Sequence, residues 1–445
     1  MISRASNPAA SRDEVALRQH RTYRGKVQIM PKCPLRSFDD FAIWYTPGVA
    51  AASRAIAVEH ERVWELTNRG NTVAIVSDGS RVLGLGNIGP EAALPVMEGK
   101  ALLFKHLDGV DAVPMCRATG NPQAVISTVR ALSPSFGGIN LEDIATPKCF
   151  RILDALRFDL PIPIWHDDQQ GTATVVLAGL LNALELVGKR LADVKIALVG
   201  IGAANMAVFR LLKSEGVDAR CIIACDRAGT LHRGRADIDA AGFAAAEKWQ
   251  VCQETNAERI VGGIAEALRG ADVCLAFSGT GPDVISPEAV RGMAKDGIVF
   301  ACANPVPEIM PSLALEAGAA IVATGRSDFS NQVNNSFVFP GVFRGVLDVR
   351  ARSITNGMAR VAAHALASYA KSLGISKEAI LPRTDDIAAA ATVAAAVGCE
   401  AQAEGVAKAK FSRDELFESA LARIRSARRA HDALDLAGCF DLASS

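Results

Sequence analysis

Residues 194–226 read VKIALVGIGAANMAVFRLLKSEGVDARCIIACD, and this stretch decides the fold. Its first residues, VKIALVG, form a run that is apolar apart from Lys195 and suited to a buried strand. Ala203 to Glu215 follows as a helix, and ARCIIACD is a second strand ending at Asp226. Between strand and helix lies Gly200-Ile201-Gly202-Ala203-Ala204-Asn205, a G-x-G-x-x-G pattern without its third glycine. Glycines there let backbone N–H groups and the helix N-terminus hold a pyrophosphate, while Asp226 can take ribose hydroxyls. Asn205 in place of glycine predicts a looser helix–strand approach and a slightly altered turn. Strand and helix alternate again through 272–279, 297–305 and 319–325, as in a doubly wound parallel sheet.

Upstream, residues 72–116 read TVAIVSDGSRVLGLGNIGPEAALPVMEGKALLFKHLDGVDAVPMC. Thr72–Ser77 is a strand, Asp78-Gly79 has hairpin-turn chemistry, and Arg81–Leu85 reads as the returning strand. Gly89-Pro90 opens a helix that runs to about Leu107, with a strand over Val110–Cys116. Gly84 to Gly89 fits G-x-G-x-x-G in full, but it follows a hairpin strand and has no acidic strand end beyond it. It is not the nucleotide loop. Strands at 138–141 and 162–165, a helix at 147–158 and a long helix from Thr172 complete the first unit. The fold class is therefore α/β: an N-terminal α/β substrate and metal domain, a Rossmann-type nucleotide domain, and C-terminal helices. The expected boundaries are an extension at 1–24, domains at 25–172 and 173–400, and a helical segment at 401–445.

Forty-eight basic residues balance 48 acidic ones, which excludes a strongly basic nucleic-acid binder or a reader of anionic membranes. The ten cysteines contain no CxxC pair and read as buried thiols in a reducing compartment. No apolar signal core opens the chain, and the longest apolar stretch, 172–188, is interrupted by Asn182 and Glu185. A soluble cytoplasmic enzyme is the expectation.

Two acid pairs fall at C-terminal strand ends, where open α/β sheets bind ligands. Glu142-Asp143 precedes a helix with a Thr146-Pro147 start signature, and Asp167-Asp168 precedes the helix start at Gly171-Thr172. Converging in one crevice, four acids need a cation, and hard oxygen ligands imply Mg2+ or Mn2+. Singly, they could equally be solvated helix caps. Lys100 shares a helical arc with Val96, Met97, Phe104 and Leu107, opposite Glu98, Lys105 and His106. Such a lysine either snorkels or is a desolvated amine whose pKa is lowered, fit to act as a general base.

These residues resemble the malic enzyme family, specifically its shorter bacterial type. The likeness rests on Tyr45-Thr46-Pro47-Gly48-Val49-Ala50, GSRVLGLGNIG (79–89), Gly99-Lys100-Ala101-Leu102-Leu103 and Asn140-Leu141-Glu142-Asp143-Ile144. It continues in HDDQQGTA (166–173), CANPVPEI (302–309) and NQVNNSFVFPGVFRG (331–345). The resemblance implies oxidation of L-malate with NAD or NADP and decarboxylation of bound oxaloacetate to pyruvate. It implies Lys100 as general base, Tyr45 as the acid that protonates enolpyruvate, and Asp167 as a neighbouring catalytic acid. Glu142, Asp143 and Asp168 match the ligands of a divalent metal, Mg2+ or Mn2+. Arg81 matches a substrate-carboxylate contact, and Asn304 and Asn335 match residues near nicotinamide and substrate. Gly200, Gly202, Ala203, Ala204, Asp226 and Arg227 would bind the cofactor, with Arg227, Arg233 and Arg235 tilting the choice toward NADP. A homodimer or larger homo-oligomer is expected, without nucleic acid or membrane partners. Gln170 departs from the His usual in bacterial relatives. One rival, a malolactic lyase that retains its nicotinamide, could use the same residues; another, a non-catalytic dinucleotide-binding sensor, is disfavoured because Tyr45, Lys100 and the acids are all present.

Overall fold

The computed structural model describes residues 11–118, 120–278 and 281–441. Strands β1 (Thr72–Ser77), β2 (Asp111–Cys116), β3 (Gly138–Leu141) and β4 (Ile164–His166) form one sheet, ordered β2-β1-β3-β4. All its pairings are parallel. From Val73 to Ser77 every residue of β1 is buried, so its apolar run does not alternate.

The expected hairpin after β1 does not form. Residues 81–86 make a compact turn closed by Val82 N–H donating to Gly86 O at 2.9 Å, while β1 pairs with β2 and β3. Asp78 turns instead toward a distant partner, Lys148 Nζ at 2.5 Å, and accepts from Ser80 N–H at 3.1 Å. Gly84 lies against the loop at residues 304–305 of the second unit, where a Cβ would stand 2.7 Å from Asn304 O. The fully matching glycine motif thus serves close packing between the two units.

The second sheet comprises β5 (Ile196–Val199), β6 (Ile222–Asp226), β7 (Gly229–Thr230), β8 (Val273–Ala276), β9 (Ile298–Ala301) and β10 (Ile321–Thr324). Its order is β10-β9-β8-β5-β6-β7. Five strands are parallel, and the two-residue β7 adds an antiparallel edge that the pattern did not indicate. Asn205 tightens the nucleotide turn. Its buried amide donates to Val199 O (3.2 Å), Gly200 O (2.7 Å) and Leu275 O (3.1 Å), tying together the ends of β5 and β8.

The helix Phe339–Asp348 and the Ala-rich helices Asn356–Leu373 and Ile387–Ala403 pack on one another. The charged helix Arg413–Leu436 buries Leu416, Ala420, Leu421 and Ile424 against Ile387–Ala403 and the helix Gly89–Asp108. All ten cysteines are free, but only five are buried; Cys221 and Cys439 are exposed, since each sits outside the core-facing part of its element. Among the described residues, no helix is long and apolar enough to cross a membrane.

Candidate active site

A cavity of about 490 Å³ opens where the C-terminal ends of the two sheets face each other. Its walls include Lys100, Arg81, Glu142, Asp143 and Asp168 from the first unit. Gly202, Ala203, Ala204, Asn304 and Asn335 come from the second.

Lys100 sits on the core-facing side of the helix Gly89–Asp108, beside buried Met97, Ala101 and Phe104. Its Nζ lies 2.5 Å from Asp167 Oδ2, 3.0 Å from Glu142 Oε1 and 3.5 Å from Asn335 Oδ1. The ammonium also stands 4.2 Å from the centre of the Phe339 ring. At 8% exposure it does not snorkel. Nor is its pKa depressed among these protein groups. Burial pulls it down, but Asp167 and Glu142 outweigh burial and raise it above the ordinary lysine value.

Glu142 and Asp143 follow β3 directly, and Asp143 adopts a left-handed backbone conformation at φ 54°. That bend lets Asp143 N–H donate to Asp168 Oδ2 at 2.8 Å, joining the two acid pairs. Asp167–Gly171 forms a single π-type turn after β4, a geometry common at functional sites. Asp167 itself is fully buried, accepting from Trp165 Nε1–H at 3.0 Å. Gly171 is required here because a Cβ would stand 1.8 Å from Asp167 Oδ1. The predicted Thr146-Pro147 cap is not formed. Pro147 takes the N-cap position without a side-chain hydrogen bond, and Ser80 Oγ accepts the Ala145 N–H at 2.9 Å.

One carboxylate oxygen from each of Glu142, Asp143 and Asp168 lies within 4.8 Å of the others. Burial raises the Glu142 pKa well above the carboxylate range, aided by Asp168 and Asp167 and opposed by Lys100. Burial, then Asp168, pushes Asp143 up to about 8. Asp168 is raised by burial too, against the pull of Lys100. Two buried acids and a part-buried third that crowd one another in this way are short of positive charge, and an oxygen-only donor set fits Mg2+ or Mn2+. Solvated helix caps would not be buried like this.

Across the cavity, Gly200 has φ +81° and lies so close to the end of β8 that a Cβ would stand 2.8 Å from Phe277 O. Asp226 ends β6 outside the cavity wall. Its Oδ1 accepts from Ala228 N–H (3.0 Å) and Arg235 (3.1 Å), and Lys248 Nζ is 3.2 Å from Oδ2. Burial would raise the Asp226 pKa, but Arg235, the Ala228 N–H and Lys248 hold it below the ordinary value. Arg235 is locked by Asp237 as well, at 2.7 Å, and so is no free phosphate clamp. Arg227 is exposed.

Tyr45 does not join this constellation. Its side chain is 68% exposed, just beyond the helix Asp40–Trp44, and it does not line the cavity. Sequence reasoning also missed Trp165 and Phe339, which hold Asp167 and Lys100 in place. Both stand in or beside quoted motifs, but no periodicity marks an aromatic residue as a partner of a charge.

The family model for the malic enzyme N-terminal domain matches residues 24–123, and that for the malic enzyme NAD binding domain matches 169–402. The bifunctional malic/malolactic enzyme of Bacillus subtilis is 45% identical over 91% of this chain and 97% of its own. An NADP-dependent malic enzyme of Halomonas elongata is 41% identical over 87% of this chain and 92% of its own. The crystal structure of Entamoeba histolytica malic enzyme superposes with a TM-score of 0.93 at 46% identity, covering 96% of this chain and 88% of that one. With both domain models in order along a chain whose acids and lysine share one cavity, this protein belongs to the malic enzyme family.

Proposed function

We propose that this cavity oxidises L-malate with NAD+ or NADP+ and decarboxylates the product to pyruvate and CO2. One observation carries the reading: an amine held 3.0 Å from Glu142 beside a three-carboxylate cluster, facing a nucleotide turn across one cavity. A divalent cation held by Glu142, Asp143 and Asp168 would polarise the C2 oxygen and draw Glu142's charge from Lys100, while the nicotinamide accepts hydride. Lys100 Nζ, neutral once that cation would offset the carboxylates around it, takes the C2 hydroxyl proton as hydride leaves C2 for the nicotinamide. Asp167, anchored by Trp165, positions that amine. Arg81 binds a substrate carboxylate, and Asn304 and Asn335 orient substrate and nicotinamide. When the C3–C4 bond breaks, the electron pair remains on the enolate and Tyr45 delivers a proton to C3. The ten unpaired cysteines suit a reducing cytoplasm. Malate-dependent formation of reduced nucleotide that stops on chelation tests the reading; formation unaffected by chelator contradicts it.

For Tyr45 to act, a second copy of the chain must bring it to the cavity. The segment around it exposes Ile29 (97%), Phe38 (86%), Ile43 (65%) and Val58 (90%), and the helices Asp40–Trp44 and Val49–Val58 bury no residue. Such an apolar surface suits a subunit interface. Tyr45→Phe and Lys100→Ala dimers, each inactive in pyruvate formation, should regain about a quarter of wild-type activity when subunits are mixed, because half the dimers carry one intact site. No recovery would return Tyr45 to its own chain's site or to packing.

The nucleotide preference follows from charge around Asp226. With Arg235 and Lys248 offsetting that carboxylate, a 2′-phosphate is not repelled, and exposed Arg227 can pair with it. NADP is therefore the proposed preference. Replacing Arg227 and Lys248 together by Ser should raise the NADP KM about tenfold, the scale of one charge-assisted hydrogen bond, with little change for NAD. Equal losses for both nucleotides would move the preference to NAD.

A further inference from the structure

Behind the catalytic turn lies a second, smaller cavity of about 80 Å³. Asp168 lines the active cavity, while Gln169 and Gln170 of the same turn line this one. Gln169 is 2% exposed and Gln170 9%, and the Nε2 of each is buried without a hydrogen-bond partner among the described residues. Both residues that carry these unpaired amides line the cavity, and a buried unpaired donor is costly unless a ligand or water accepts from it. Gln170 is otherwise fixed, its Oε1 accepting from His166 N–H at 3.0 Å.

Two arginines reach the same space from different units. Arg157 follows the helix Lys148–Leu156, its guanidinium held by Ile354 O (3.2 Å) and Asn356 Oδ1 (2.6 Å). Arg210 comes from the helix Ala203–Ser214 and stands 5.6 Å from the Phe150 ring centre. The remaining wall is largely apolar, including Leu153, Ala207 and Leu211, and exposed Asp154 adds one negative charge at the rim. Donors and guanidinium groups call for an oxyanion. Apolar walls call for a short hydrocarbon tail, and Asp154 disfavours a second negative charge. A single water share is about 30 Å³, so the space holds a molecule of a few heavy atoms.

We propose that this cavity binds a short aliphatic monocarboxylate, its oxygens meeting Gln169, Gln170 and the two arginines and its chain lying against Leu153, Ala207 and Leu211. The ligand braces the catalytic turn from behind and links the first unit to the nucleotide helix.

The test is a calorimetric titration of the full chain with propionate, repeated with inorganic phosphate and with three variants. Propionate should bind saturably and raise the thermal midpoint, whereas phosphate should not. Arg210→Ala removes an exposed cation and should weaken propionate binding at least about tenfold; Ala207→Leu should fill the cavity and do the same. Arg81→Ala, altered only in the active cavity, should bind propionate as the wild type does. The proposal is overturned if propionate does not bind saturably, if phosphate binds as well, or if Arg81→Ala abolishes binding while Arg210→Ala preserves it. None of these binding measurements depends on the chain turning over malate, so this inference and the proposed reaction can fail separately.

Discussion

Lys100→Ala is expected to lose malate oxidation by about 10²- to 10⁴-fold, the range for removing a positioned general base. The loss should fall on kcat, because the amine touches the reacting hydroxyl while nucleotide contacts lie across the cavity. Removing the ammonium also leaves Asp167 and Glu142 buried without their 2.5 and 3.0 Å partner, so stability should change as well. Lys100→Arg keeps a cation beside both acids but cannot be deprotonated to serve as a base, and so separates the two effects. If it binds nucleotide and unfolds like the wild type yet remains inactive, the defect is chemical. Wild-type turnover in either folded variant would remove Lys100 from the mechanism.

Asp168→Asn and Glu142→Gln should each raise the Mn2+ concentration for half-maximal rate at least about 100-fold, the upper loss known for mere outer partners of metal ligands. A direct Mn2+ binding titration should report the same shift without relying on turnover. Stability supplies a check of opposite sign. Asp168 has a raised pKa in the folded chain, so its ionised form is disfavoured there, and the stability present at low pH is lost as pH rises through that value. In chelator at neutral pH, Asp168→Asn should therefore unfold at a higher temperature than the wild type. On adding Mn2+ the order should reverse, since only the wild type gains the full binding energy. An unchanged metal requirement would mean that the acids serve structure alone.

Much of this was legible because local patterns report local chemistry. The run 194–226 marks a strand, a glycine turn and a second strand because each depends on short-range periodicity and backbone freedom. Lys100 stood out because a charge on an apolar arc must find partners, and the two acid pairs because both follow strands of one sheet. What escaped depends on distant contacts. Asp78-Gly79 has hairpin chemistry, but Lys148, 70 residues away, captures Asp78, and β1 takes parallel neighbours. Asn205 is bulkier than glycine, yet the carbonyls of β5 and β8 turn its amide into a clasp. The raised Lys100 pKa reflects the balance of burial against two carboxylates, whose distances no spacing reveals. Tyr45 is the clearest case, since its motif singles it out while its side chain stands exposed and outside the cavity wall.

Oxidative decarboxylation with release of reduced nucleotide fixes the product stoichiometry. Purified enzyme, L-malate, Mn2+ and excess NAD+ or NADP+ are incubated, and pyruvate, lactate, CO2 and reduced nucleotide are measured together. Pyruvate, CO2 and reduced nucleotide should form in equal amounts, with no lactate. Lactate and CO2 without net nucleotide reduction would contradict it and assign the chain to malolactic chemistry.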